Sequence, residues 1–244
     1  MNTTFIAAVG VFLSLIAQAF GQDANTLLKE VDDNLMPESY ESYRKLINEE
    51  PGGSKKEFTF YTVKKGRDKI AMLYIAPASE KGRSTLRLRE NMWLYVPNVN
   101  KPIRITSLQS VVGGVFNNAD IMQLEYSAEY NAGFAEGTER EYVLDLKAKN
   151  NTVAYDKLKM WVTKDKKVLR KVEAYSASGM LIKTIEFKED KSFGGGLVRP
   201  SLMETYSPLY KGYRSLMIYQ TIKRRHFPDE VFTLSFMSRL AELR

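Results

Sequence analysis

The 244-residue chain has no cysteine and a single histidine, His226. The first absence excludes disulfide scaffolds, zinc–cysteine sites, iron–sulfur clusters, thiolate nucleophiles and lipid-modified cysteines. The second excludes multi-histidine metal sites and leaves only one imidazole to serve a Ser-His-Asp triad. His226 sits between Arg224-Arg225 and Phe227-Pro228 and reads as an exposed strand-end residue rather than a base. The chain also lacks G-x-S-x-G, H-E-x-x-H and an EF-hand loop, and Gly194-Gly195-Gly196 is not followed by the Lys-Ser/Thr of a phosphate loop. No cofactor, no metal and no catalytic residue is expected, and the chain reads as a non-enzyme.

Residues 5–20 carry no charged side chain, and small residues follow at Ala17, Ala19 and Gly21. This is the pattern of a secretory signal with an A-x-A cleavage site, and about 16 apolar residues fall short of the roughly 20 that span a bilayer. The expected division is a signal peptide at 1–21 and one mature domain at 22–244. An exported chain without disulfides suits a bacterial periplasm.

Lysine and arginine total 36 against 29 acidic residues, a net charge of +7. Anionic lipid head groups would attract such a chain by about 1 kcal/mol per basic residue near the surface. Simple solvation of charged strand faces is the plainer reading. Nucleic acid is set aside, because an exported chain rarely meets it and no recognition motif is present. The densest clusters, Lys164, Lys166 and Lys167 and then Arg224 and Arg225, are candidate membrane or partner contacts.

One amphipathic helix is expected over residues 25–35, with Asn25 as N-cap, Leu27, Leu28, Val31 and Leu35 at helical spacing, and Pro37 as the stop. Asp32 and Asp33 read as charges at its C-terminal end. Residues 39–48 fit a helix through Tyr40, Tyr43 and Ile47, but their aromatic content and the following Pro51-Gly52-Gly53 favour a strand entering a hairpin turn; period-two alternation continues at 57–63, 69–75, 84–89, 92–96, 103–107, 142–147, 155–163, 168–175, 181–188, 201–206 and 216–223. Turn signals such as Lys65-Gly66, Lys81-Gly82 and Ser178-Gly179 separate these segments. The fold class is mainly β with a few helices: one antiparallel sheet that curls or closes. Short helices are expected near 118–124 and 232–243.

Each strand offers an aliphatic, methionine-bearing face and a basic or aromatic one. The aliphatic set Leu86, Leu88, Met92, Leu94, Val96, Ile103, Leu144, Leu158, Met160 and Val162 forms the candidate lining of an apolar cavity. The helices look too few to cover such a sheet, which points to a ligand cavity; a packed sandwich or barrel core explains the same pattern equally well.

The run Arg89-Glu90-Asn91-Met92-Trp93-Leu94-Tyr95-Val96-Pro97-Asn98, then Lys101-Pro102-Ile103-Arg104-Ile105 and Gly113-Gly114-Val115-Phe116-Asn117-Asn118-Ala119-Asp120-Ile121, resembles the bacterial outer-membrane lipoprotein-sorting family, a LolA/LolB-like group. Lys81-Gly82-Arg83-Ser84-Thr85-Leu86 and the hairpin at 165–187, with Val168-Leu169-Arg170-Lys171-Val172-Glu173, fit the same pattern, and the likeness runs from Leu27 to the C-terminus. Many members read Gly-Ser-Asp-Phe-Ser where this chain has Gly113-Gly114-Val115-Phe116-Asn117. The resemblance implies an unclosed barrel of about eleven antiparallel strands with a helical lid over an apolar cavity for acyl chains. It implies a soluble, monomeric periplasmic carrier of lipoprotein acyl chains or lipid that meets membrane surfaces and envelope transport proteins. A non-catalytic envelope adaptor or sensory domain working with a membrane lipid exporter is the alternative. Release from such a carrier would need weakly packed lid helices.

Overall fold

In the computed structural model, which describes residues 23–244, the period-two segments become thirteen strands. They are β1 (Ser39–Glu49), β2 (Lys55–Lys65), β3 (Lys69–Ala76), β4 (Ser84–Leu88), β5 (Asn91–Tyr95), β6 (Ile103–Ile105), β7 (Tyr130–Ala135), β8 (Glu141–Ala148), β9 (Lys157–Thr163), β10 (Leu169–Tyr175), β11 (Leu181–Ser192), β12 (Val198–Tyr206) and β13 (Arg214–Arg224). All belong to one antiparallel sheet in the order β6-β5-β4-β3-β2-β1-β13-β12-β11-β10-β9-β8-β7. The signal-peptide reading at 1–21 lies outside the described residues.

The topology itself makes a lid. The two unpaired edges, β6 and β7, are consecutive in sequence, so residues 106–129 must connect one edge of the sheet to the other. This connection carries two single-turn helices, α2 (Asn118–Ile121) and α3 (Tyr126–Glu129). The first helix, α1 (Ala24–Leu35), packs on α3, β7 and β12. Its N-cap is Asp23, whose carboxylate accepts from Thr26 N at 3.0 Å, rather than the expected Asn25. Asn25 Oδ1 instead accepts from Ala132 N at 2.9 Å, satisfying a donor on edge strand β7.

Thirteen strands replace the expected eleven. Strand β7 escaped the sequence reading because it has no apolar alternation: Gly133 interrupts it, Phe134 is exposed, and of its large side chains only Tyr130 is buried. The expected helix at 232–243 is instead two 3₁₀ segments, Asp229–Phe232 and Met237–Leu243. This segment does not cover the lid side of the sheet. It lies on the opposite face, where Phe227, Val231, Phe232, Phe236, Met237 and Leu240 bury Tyr61, Val63, Ala71, Leu73, Leu86 and Tyr95. The sheet therefore has two apolar layers, and strands between them lose the period-two signal: Ile70 to Tyr74 in β3 are all buried.

Candidate functional site

The larger apolar layer faces α1 and the lid. Met72, Met92, Met160, Met203 and Met217 lie in it, together with Leu46, Phe60, Leu144, Leu158, Val162 and Phe187. Two small spaces remain between sheet and lid. One, of about 40 Å³, is bordered by Tyr40, Arg44, Arg199, Met203 and Tyr219; the other, of about 20 Å³, by Tyr130, Leu158, Val172 and Ile185. Each has room for about one water and neither for an acyl chain.

Five of the ten candidate lining residues, Met92, Leu144, Leu158, Met160 and Val162, belong to this interior layer. Leu86 and Leu88 do not: they pack in the outer layer beneath the C-terminal segment. The register explains the reversal. Leu86 stands opposite Trp93 and Arg87 opposite Met92, and directly opposed residues share a face, so β4 turns its arginine, not its leucines, toward the interior. Leu94 and Val96 are half-buried outside both layers, and Ile103 on edge strand β6 is 46% exposed.

Among the described residues, the buried charges are segregated completely. All five buried cations, Arg44, Lys64, Arg87, Lys183 and Arg199, lie on strands. All three buried carboxylates, Asp32, Asp120 and Glu125, lie on α1 or on the lid. Nothing in composition distinguishes these basic residues from the solvated majority. The one legible signal was phase: Arg44 falls in step with Tyr40, Ser42 and Leu46 on the buried face of β1.

These cations grip the lid. Lys183 Nζ donates to Asp120 Oδ2 at 2.7 Å and to Val115 O at 2.6 Å. Asp120 also accepts from Tyr155 Oη at 2.9 Å and, closing a capping box, from Asn117 N at 2.9 Å. Arg87 Nη1 donates to Met122 O at 3.0 Å, and its Nη2 meets Glu129. Lys64 lies 3.6 Å from Glu125, which Arg67 approaches at 2.9 Å from the solvent side. Burial, partly offset by Glu125, holds the Lys64 ammonium below its usual pKa.

Arg44 and Arg199 behave differently. Arg44 Nη2 and Nε bond Thr62 Oγ1 at 2.6 and 3.2 Å, and Nη1 donates to Ile121 O at 2.8 Å. Arg199 Nη1 donates to Leu35 O at 2.7 Å and its Nε to Pro200 O at 2.9 Å. Each guanidinium thus holds the final carbonyl of a helix, α2 and α1 respectively. Between them stands Tyr219, its ring centroid 5.6 Å from the Arg44 guanidinium carbon and 4.2 Å from that of Arg199. Burial alone would raise the Tyr219 phenol, but the two guanidiniums outweigh it and hold the pKa below the ordinary value.

Asp32 lies in the last turn of α1, as expected, but is buried there. Its two oxygens accept from Tyr126 N and Ser127 N, both at 2.8 Å, and so fasten the start of α3 to α1. Burial nonetheless pushes its pKa up to about 6. The lid is therefore tied by buried polar bonds, not weakly packed. The loop before α2 is anchored as well: Ser215 Oγ accepts from Val115 N at 2.9 Å and donates to Asn48 Oδ1 at 2.8 Å. Gly114 lies so close to the Asn48 amide that a Cβ there would collide with it, a local cause for glycine at this position.

A groove of about 410 Å³ opens beside the lid, lined by Leu108, Ile182, Leu209, Tyr210 and Tyr213, with Lys183 and Tyr155 at its inner wall. Leu108, Leu209 and Tyr210 are more than half exposed, and Tyr155 also borders the 20 Å³ interior space. Of the basic clusters, Lys164, Lys166, Arg224 and Arg225 are exposed; Lys167 pairs with Glu30 of α1, and Arg225 with Glu41 at 2.7 Å. His226 is exposed. Among the described residues no group of three acidic or histidine side chains is placed to hold a metal, and no helix is long and apolar enough to cross a membrane.

A protein-family model described as "uncharacterized protein" matches residues 66–239. A LolA superfamily protein from Nitrosomonas europaea is 27% identical, with a TM-score of 0.81 over 88% of this chain and 100% of its own. An outer-membrane lipoprotein-sorting domain from Vibrio parahaemolyticus (17% identity, TM-score 0.76, 88% of this chain and 98% of its own) has the same fold. So does a DUF1329 family protein from Desulfovibrio piger (20%, 0.75, 87% and 97%). No curated protein sequence matches the chain.

Proposed function

The chain belongs to the LolA/LolB-like outer-membrane lipoprotein-sorting family, and from that premise we propose that it is a periplasmic carrier whose interior takes the acyl chains of lipids or lipoproteins bound for the outer membrane. The observation that carries this reading is the methionine-rich layer on one face of an unclosed sheet, covered by α1 and the single connection at 106–129. An acyl chain of about 14 methylenes exposed to water costs roughly 11 kcal/mol, at about 0.8 kcal/mol per CH₂. An apolar interior removes that cost, and flexible thioether side chains adapt to chains of differing shape.

Met92, Leu144, Leu158, Met160 and Val162 are the proposed lining, with Leu94 and Val96 at its rim. The two interior spaces must merge for a chain to enter, which requires the 106–129 segment to move outward. The groove beside Tyr155 is the proposed entry, and its exposed Leu108, Leu209 and Tyr210 would rest against acyl chains at a membrane surface. Lys164, Lys166 and Arg224 would meet anionic head groups or an envelope partner. The task moves a ligand and asks for no catalytic group.

Native mass spectrometry of the protein purified from periplasm is the direct test. Lipid-sized mass increments, together with uptake of a fluorescent fatty-acid probe, are expected. A ligand-free mass with no probe uptake would sink the carrier reading, and co-purification of a membrane protein with that ligand-free form would favour the adaptor.

A further inference from the structure

We propose that the cargo carries an anionic head group, a lipid phosphate ester, which seats between Arg44 and Arg199 beside Tyr219 once the lid withdraws. The inference rests on the carrier reading and narrows it, because an acyl chain on a neutral glyceride anchor brings no such anion.

The argument begins with the segregated charges. Lys64, Arg87 and Lys183 each face an acidic residue of the lid: Glu125, Glu129 and Asp120. When the lid moves out these carboxylates leave with it. The strands keep five cations, and among the described residues no buried acid lies on any strand. In the closed state the lid acids occupy positions that anionic groups of a ligand would otherwise fill.

Arg44 and Arg199 form no ion pair even with the lid closed, although they share the small interior space with Asp32, Asp120 and Glu125. Each is 2% exposed, and their hydrogen bonds go to the Thr62 hydroxyl, the Met72 sulfur and the carbonyls of Ile121, Leu35 and Pro200. A guanidinium does not lose its charge on burial, and burying one without a counter-ion costs several kcal/mol. Two of them beside one aromatic ring repel each other as well. As packing alone this is a poor arrangement. It becomes understandable if the terminal carbonyls of α1 and α2 are partial negative charges holding the place of a full one. The two guanidiniums border the same 40 Å³ space, which Lys64 and, with the lid closed, the carboxylates Asp32, Asp120 and Glu125 also border, and which is already continuous with the Met203 and Phe187 side chains of the apolar layer. A phosphate there would receive charge-assisted, bidentate hydrogen bonds while its acyl chains lie on the methionine-rich sheet.

The test compares dioctanoyl phosphatidic acid with dioctanoylglycerol, which has the same chains and no phosphate, using native mass spectrometry and calorimetry on the full mature protein. Phosphatidic acid is expected to bind about tenfold tighter or more, the gain of one to two hydrogen bonds to charged groups. Arg44→Met and Arg199→Met, each checked for folding by circular dichroism, should bring that ratio to within about twofold of unity, and Arg199→Lys should retain part of it. Equal affinity of the wild-type protein for both ligands, or a preference that survives both methionine variants, overturns the head-group site and leaves the carrier reading standing. Uptake of neither ligand overturns both. Inorganic phosphate binding as tightly as phosphatidic acid would overturn the lipid assignment in favour of a free anion.

Discussion

Arg44 on β1 donates from Nη1 to the carbonyl oxygen of Ile121 at 2.8 Å, tying the middle of the sheet to the last residue of lid helix α2. In a fold whose two edge strands are joined by one covering segment, such a bond decides how readily the interior opens. Lid motion here has to break buried, charge-assisted bonds, so opening is a discrete event rather than a fraying of loosely packed helices.

Replacing Arg44 with Met should loosen the lid more than the fold. Hydrogen bonds to charged groups contribute about 1.5–3 kcal/mol, so amide exchange over residues 118–122 should quicken about tenfold or more. The melting temperature should change less, because the substitution also removes a buried charge. Unaltered exchange at Ile121 and Met122 would show that the remaining anchors hold the lid by themselves.

Asp120 and Lys183 form a buried pair at 2.7 Å. Asp120→Asn or Lys183→Met alone leaves one group unpaired and should cost about 3–5 kcal/mol by urea denaturation. The double variant should recover much of that loss. Additive losses would mean that the two residues act independently and that the pair does not couple lid to sheet.

Asp32 sets a pH dependence. Its pKa rises from 3.8 to about 6 on folding, so the folded state favours the protonated form. The associated stability is complete below about pH 4 and is lost as pH rises through 6, by about 3 kcal/mol. Relative to Asp32→Asn, which stays neutral, the wild-type protein should therefore lose stability between pH 4 and pH 7. A difference that does not vary with pH would refute the raised pKa.

Gly114→Ala should drive the Asn48 amide away from Ser215. Overpacking of this kind costs about 1–3 kcal/mol, or a melting temperature lower by roughly 2–10 °C for a chain of this size. Combining it with Asn48→Ala should recover part of the loss. A single variant as stable as the parent would mean that the loop at 111–115 yields without effect.

The two apolar layers can be told apart by their effect on ligand. Leu86→Ala should cost about 2–5 kcal/mol and leave fatty-acid probe affinity per folded molecule unchanged. Met160→Phe, which fills the interior layer, should lower that affinity. If Leu86→Ala weakened probe binding as much, the assignment of Leu86 to the outer layer would not describe the binding state.

Much of the scaffold was legible beforehand. Lys157 to Thr163 alternates outward lysines and tryptophan with inward Leu158, Met160 and Val162, and β9 is built that way. Where a strand is covered on one side only, periodicity and burial coincide. The reading failed at β4, where both faces are apolar or large: Leu86 and Leu88 looked like lining and Arg87 like a solvated charge. It placed Asp32 at the end of α1 but gave no sign of its partners at Tyr126 and Ser127, which lie more than 90 residues away.

The sequence by itself determined the absence of thiol and multi-histidine chemistry, the antiparallel strands and the family resemblance, because these depend on residue types and spacings local to the chain. Only the tertiary structure decided which face of each strand is inside. That choice is made by register between neighbours, and a single step of register exchanges every inward side chain for an outward one. The same exchange placed five basic residues beneath an acidic lid and left Arg44 and Arg199 there without an ion pair.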